Sequence, residues 1–160
     1  MKRITQLLTL VATMLFLSVT AFGQTYFQFG NLNQDSVTVT STWTKLKTTT
    51  GTHTFTKANA GTKLEIHVNS RFSIGTLSGG ANGVIFQVRV DDTSTPNFEN
   101  WGSIRTSNTA DFLSIFAVFQ SIPAGSHTVS LWARTPSGSA TAVTVDPGGW
   151  GGKIIVKETP

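Results

Sequence analysis

The chain contains no cysteine. That excludes disulfides, by which small exported domains often compensate for a modest core. It also excludes a lipoprotein-type lipid anchor, which needs a cysteine at the cleavage point. Charge is scarce too: Asp, Glu, Lys and Arg make up 12% of the 160 residues, against about 25% in an average soluble domain. The basic residues are scattered from Lys45 to Lys157 and form no run. The net charge of +4 therefore gives no concentrated basic face of the kind nucleic-acid binding requires, and the scattered charges suit soluble strand edges. Beyond the N-terminal segment no stretch has the 3.6-residue amphipathic period of a surface helix. No Gly-X-Ser-X-Gly elbow occurs, and no glycine-rich run precedes a helix as a phosphate loop would.

What is present is threonine, serine, glycine and short apolar alternation, a composition that suits strands and turns. The first residues read differently. Lys2 and Arg3 precede an apolar run from Leu7 to Val19, and Ala21-Phe22-Gly23 supplies small residues where a signal peptidase reads. This predicts a signal peptide over 1–23, cleaved after Gly23. The alternative, an uncleaved anchor, has an apolar run shorter than the roughly 20 residues that span a bilayer. The expected location is secreted or extracellular, with the periplasm or cell surface as variants, and no membrane span in the mature chain. Residues 24–35 read as an N-terminal arm or first edge strand, and 36–160 as one domain large enough to bury a core without staples.

From Ser36 strand-like runs alternate with turn signals. Val37 to Leu46 has period two and reads as one strand, with Val39 and Trp43 facing inward for part of its length. In Thr62 to Val68, Leu64, Ile66 and Val68 are expected inside and Lys63, Glu65 and His67 outside. Arg71 to Thr76 follows as a separate short strand. Val84, Phe86, Val88 and Val90 point inward. So do Val129, Leu131 and Ala133, which turns Trp132 outward beside Thr128, Ser130 and Arg134. Asp111 to Phe119 breaks the pattern, because Leu113, Ile115, Ala117 and Phe119 form one apolar face while Phe112, Ser114, Phe116 and Val118 form another. A strand apolar on both sides is buried on both sides, so another subunit or another part of the chain must cover the second. About ten strands and no helix predict an all-β, antiparallel jelly-roll β-sandwich.

The order of elements resembles the C-terminal globular domain of the collagen triple helix repeat-containing protein, in the tumour-necrosis-factor and complement globular-head superfamily. The resemblance runs from about Trp43 to the end. It is carried by Phe55-Thr-Lys57 leading into Lys63-Leu-Glu-Ile-His-Val-Asn-Ser70, by Ile122 to Trp132, and by Gly149-Trp150 leading into Lys153-Ile-Ile-Val-Lys-Glu-Thr-Pro160. It implies a jelly roll that assembles as a trimer with apolar strands meeting at the axis, and no catalytic residues. The chain departs from it in lacking a Gly-X-Y stalk, cysteines and any Asn-X-Ser/Thr acceptor, a combination that suggests a bacterial secreted protein.

Residues with chemical potential are few. His53, His67 and His127 stand singly among Thr and Ser, without metal-ligand spacing, and read as exposed strand histidines. Asp91, Asp92 and Glu99 share one loop and are the candidate calcium ligands, although their ordinary role is turn formation; no cofactor is expected. Trp101, Trp132, Arg134 and Trp150 are candidate ligand-binding residues, since exposed aromatics mark contact sites. Trp150, set among glycines, is either a loop plug over the core or a binding aromatic, and Trp132 is an interface residue, a sugar platform or a residue covered by a loop. The expected function is a non-catalytic adhesion or ligand-binding head. It assembles as a homotrimer through Phe112, Ser114, Phe116 and Val118, and takes an extracellular protein or glycan. The alternative is a monomeric lectin-type carbohydrate-binding module, with Trp132 and Trp150 side by side and Phe112 and Phe116 covered from within. A third reading, a secreted hydrolase, requires two close carboxylates in a cleft.

Overall fold

The computed structural model describes residues 26–30, 32, 36–46, 53–77, 83–100, 102–136 and 140–160. The expected signal peptide and Trp101 lie outside them. Among the described residues the elements are β1 (Tyr26–Phe29), β2 (Val37–Val39), β3 (Thr44–Lys45), β4 (His53–Lys57), β5 (Lys63–Ile74), β6 (Val84–Val90), β7 (Phe98–Asn100), β8 (Gly102–Ile104), β9 (Thr109–Phe119), β10 (Gly125–Arg134), β11 (Thr141–Val145) and β12 (Lys153–Thr159). No helix of the described residues is long and apolar enough to cross a membrane.

These strands form two antiparallel sheets packed as a jelly-roll sandwich. The front sheet is organised by β5, which pairs with β9 along one edge. Along its other edge it pairs with β12 and then β11, which in turn carry β1 and β2. A short β7 closes the far side of β9. The back sheet is organised by β10, flanked by β4 and β3 on one side and by β6 and then β8 on the other. The inward sets of β5, β6 and β10 are those that alternation predicts: Leu64, Ile66 and Val68, then Val84, Phe86, Val88 and Val90, then Val129, Leu131 and Ala133 are all buried. Phe72 of the front sheet meets Phe86 of the back sheet with ring centroids 4.5 Å apart. At Gly102 a side-chain carbon would lie 2.9 Å from Ile115 and Leu113, so only glycine lets β8 approach β9 that closely.

The structure corrects several expectations. The runs 62–68 and 71–76 belong to a single strand, β5, because Ser70 is buried and keeps the alternation unbroken between them. Val37 to Leu46 is two strands, not one. The chain leaves the front sheet after Val39 and joins the back sheet at Thr44, so buried Val39 and half-buried Trp43 serve different layers. Within the stretch read as an arm or edge strand, Tyr26 to Phe29 pairs with β12. Short β7 falls inside the stretch expected to be a polar loop.

His53 and His127 are buried, against the expectation of exposed histidines. His53 packs on Phe29 at 5.0 Å. His127 sits against Phe55, with Nδ1 2.7 Å from the Asp91 carboxylate and Nε2 3.0 Å from the Pro123 carbonyl oxygen. His67 does face outward, half-covered by Phe116.

Lys57 is also buried. Its ammonium donates to Thr62 Oγ1 at 2.9 Å and to the Asn59 carbonyl, and lies 4.0 Å from Glu158. Glu158 in turn accepts from the Ala58 and Asn59 amides, each at 2.8 Å, and from the Thr62 hydroxyl. One carboxylate on β12 thereby clamps the turn that follows β4, tying the two sheets together. Burial pushes the Glu158 carboxyl up, but the Thr62 hydroxyl, the two amides and the Lys57 charge outweigh it and hold it below the usual carboxylate range.

Candidate functional site: two outer faces

The outer face of the front sheet is built by cross-strand rows, since directly paired residues point the same way. One row runs Tyr26, Lys157, Glu65, Val118, Phe98. The next runs Gln28, Ile155, His67, Phe116, Asn100. Further along, Asn69 pairs with Ser114 and Arg71 with Phe112. The four expected interface residues, Phe112, Ser114, Phe116 and Val118, therefore share this face. Among the described residues the exposed large apolar side chains are Tyr26 at 56%, Phe98 at 70%, Phe112 at 68% and Trp150 at 68%. Tyr26, Phe98 and Phe112 stand in these rows, and Trp150 joins them through Arg71, whose guanidinium lies 5.6 Å from its ring.

Trp150 is thus no plug over the core. Its loop is anchored by Asp146, which is buried, adopts φ +48°, donates its amide to the Arg71 carbonyl at 2.6 Å and accepts from the Gly152 amide at 3.0 Å. Gly148 has φ +84°, and a side-chain carbon there would lie 2.7 Å from the Trp150 ring nitrogen. Glycine at 148 is therefore required both for the turn and for the seat of the indole.

The outer face of the back sheet differs in kind. Arg89 of β6 lies between two indoles, 4.3 Å from the ring centre of Trp132 and 5.5 Å from that of Trp43. Arg134 lies 5.1 Å from Trp43 on the same face. The Trp132 ring nitrogen donates to Ser130 Oγ at 2.9 Å, and Arg89 Nε donates to Gln87 Oε1 at 3.0 Å. Gln87 donates to Glu99 Oε1 at 3.1 Å, and Lys45 pairs with Asp92 at 2.6 Å. Cation–π attraction at such distances is worth about 0.5–1 kcal/mol per exposed pair. Alternation turns Gln87 and Arg89 outward on β6 but does not place Trp43 on this face. The parity of Lys45 and Trp132 could have found Trp43, had the change of sheet after Val39 been visible.

The candidate calcium ligands do not converge. Asp91 accepts from His127 and from the Thr128 amide at 2.8 Å, Asp92 from Lys45, and Glu99 from Gln87. Asp91 and Asp92 have φ +52° and +61°, the turn geometry that aspartate tolerates. Burial pushes Asp91 up, but its bonds to His127 and Thr128 outweigh that and hold it low. The Lys45 bond holds Asp92 low, whereas burial raises Glu99 above its usual range. Among the described residues no group of three or more His, Cys, Asp or Glu is placed to hold a metal ion.

Of the ligand-binding candidates, Trp132 and Arg134 share the back face, Trp150 stands beside the front face, and Trp101 lies outside the described residues. No protein-family model matches the sequence, and no curated protein does. The solved structures that it is similar to include VP2 of infectious bursal disease virus in T=1 particles. That likeness has 12% identity and a TM-score of 0.38, covering 84% of this chain and 32% of that one. Another is VP2 in a subviral particle of the same virus, at 13% identity and a TM-score of 0.35, covering 86% and 37%. The chain spans about a third of the length of these solved chains. The β-sandwich assignment rests on the strand pairing described above.

Proposed function

We propose that this chain is a secreted, non-catalytic binding head that assembles as a homotrimer through the outer face of its front sheet and engages an extracellular ligand multivalently. The observation that carries the reading is the gathering of Tyr26, Phe98, Phe112 and Trp150 around one sheet face. A fully exposed aromatic side chain offers about 150–250 Å², so at 56–70% exposure the four together offer roughly 400–650 Å² of the roughly 800 Å² per partner that stable interfaces bury. Isolated exposed hydrophobics are ordinary, but here Tyr26, Phe98 and Phe112 share one sheet face with Ile155, Phe116 and Val118, although Lys157 and Glu65 stand between them. Three subunits follow from the resemblance to complement-like heads, in which apolar strands meet at an axis. Closed symmetry brings the same face of each copy to that axis, and three weak sites on one rigid body raise avidity without new contacts.

The lectin-type monomer calls for Trp132 and Trp150 on one open face and an internal cover for Phe112. The two indoles stand on different sheets' outer sides and Phe112 is bare, which favours the assembling head. The hydrolase reading calls for two carboxylates facing one cleft, yet Asp91 and Asp92 turn to different partners, His127 and Lys45.

The reading is tested by sedimentation velocity on the chain from Gln24, over a dilution series from micromolar to nanomolar. A species of three chains that persists on dilution supports it. A monomer at every concentration removes the assembly and leaves the front face to a different partner.

A further inference from the structure

The back-sheet face carries a second, chemically distinct feature. Its cations are not equivalent. Lys45 is paired with Asp92, and Arg89 donates to Gln87 and to the Asp92 carbonyl. Arg134 rests on the Trp43 ring at 5.1 Å, but its Nε is buried and has no hydrogen-bond partner among the described residues. No carboxylate of the described residues pairs with it either. A guanidinium fork so held is preorganised for a planar anion, which it grips through two parallel N–H bonds. Two indoles, Trp43 and Trp132, stand among these polar groups, and aromatic rings offer apolar area at low entropy cost.

We infer that the outer face of the back sheet binds an acidic saccharide, with Arg134 gripping its carboxylate or sulfate and Trp43 and Trp132 flanking the sugar rings. A neutral sugar would leave the Arg134 fork unmatched, and a bare inorganic anion would make no use of the indoles. Ser130 and Arg134 are four residues apart on β10, so the face extends about 13 Å at the strand rise of ~3.3 Å per residue, enough for more than one sugar ring. This names the ligand class of the binding head proposed above, and it does not require that the head be trimeric.

The test titrates short, monovalent oligosaccharides against the chain from Gln24 and follows tryptophan fluorescence, with the sedimentation coefficient recorded on the same samples. The probes are trigalacturonate, a sulfated trisaccharide and neutral maltotriose. Saturable binding of at least one acidic probe, with maltotriose at least tenfold weaker, is expected, and the stronger acidic probe identifies the anion. Arg134→Ala should weaken binding at least tenfold and Arg134→Lys by less, since lysine keeps the charge and loses the fork. Lys63→Ala, the same charge change on the front sheet, should weaken it less than twofold. The inference is overturned if neither acidic probe binds, if maltotriose binds equally, or if Arg134→Ala and Lys63→Ala weaken binding alike while both variants melt cooperatively. Because the probes are monovalent, failure to bind by an intact trimer sinks this site alone, and binding by a monomer sinks the assembly alone.

Discussion

The two sheets are built from the same alternation, yet their outer faces end in opposite states. On the back sheet the outward aromatic residues are half-covered by their own face: Trp132 bonds Ser130 and lies beside Arg89, and Trp43 lies near Arg89 and Arg134. On the front sheet Phe112 has Arg71 as its cross-strand neighbour, but that guanidinium lies near Trp150, and Phe112 stays bare. Strand parity decides only that a side chain points outward. Whether it remains available is decided by the residues that adjacent strands bring alongside it. The front face keeps apolar area that only another surface can cover, and the back face keeps a cation that only an anion can match.

The largest effect should come from the group that joins the two regions. Glu158→Ala removes the acceptor shared by Lys57, Thr62 and two backbone amides. Breaking one partner of a buried ion pair costs about 3–5 kcal/mol, so the urea midpoint should fall sharply. Both faces should suffer together, and a loss confined to one would show that the sheets are less coupled than the clamp implies.

Next is Phe112→Asp, which removes the bare phenyl ring opposite Arg71 on the outer face of the front sheet. Losing the burial of one phenyl ring at a subunit contact forfeits about 1.5–3 kcal/mol per chain, and desolvating the new carboxylate adds to that even beside Arg71. The dissociation constant should rise by at least two orders of magnitude. Thermal stability of the isolated chain should scarcely change, because the site is open in a single copy.

Arg89→Ala acts on the other face. It removes a cation shared by two indoles, at about 1–2 kcal/mol for two cation–π contacts. Thermal melting should detect the loss, whereas the subunit count should not change. A change in assembly would mean that the faces are not independent.

At neutral pH the smallest effect is that of the carboxylates. Glu158 and Asp91 are held low in the folded chain. Their contribution is therefore fully present above the unfolded carboxylate values of about 3.9–4.3, and is lost as pH falls through the folded values. The melting temperature should be level from about pH 5 to 7 as far as these two groups are concerned, and should drop below about pH 4. Glu99 is raised by burial, so its ionisation disfavours the fold. Glu99→Gln should accordingly stabilise slightly at pH 7 and give no gain once pH falls below the unfolded value. A loss of stability at pH 7 would show that the Gln87 and Arg89 partners outweigh burial.

The fold was legible where alternation is uninterrupted. In the first half of β5, in β6 and in the second half of β10 every second residue is apolar, so period two places Leu64, Phe86 and Leu131 in the core without further information. The doubled apolar character of β9 likewise pointed to the front face. What could not be read depends on partners remote in the chain. Lys57 is buried because Glu158, 101 positions later, meets it, and His127 is buried because Asp91 and Pro123 meet its two ring nitrogens. Trp43 was misassigned because period two runs unbroken through the change of sheet at Thr40 to Trp43, where polar residues mask the boundary. The ladder of Trp132, Arg89 and Trp43 joins three separate strand regions, and no local pattern announces it.

The difference between the faces is tested most directly by light scattering after size exclusion on three proteins at equal concentration: the chain from Gln24, its Phe112→Asp variant and its Arg89→Ala variant. The expected result is a trimer, a monomer and a trimer, in that order. A parent chain that is already monomeric, or a Phe112→Asp variant that keeps three subunits, would contradict the assignment of the front sheet as the assembling face.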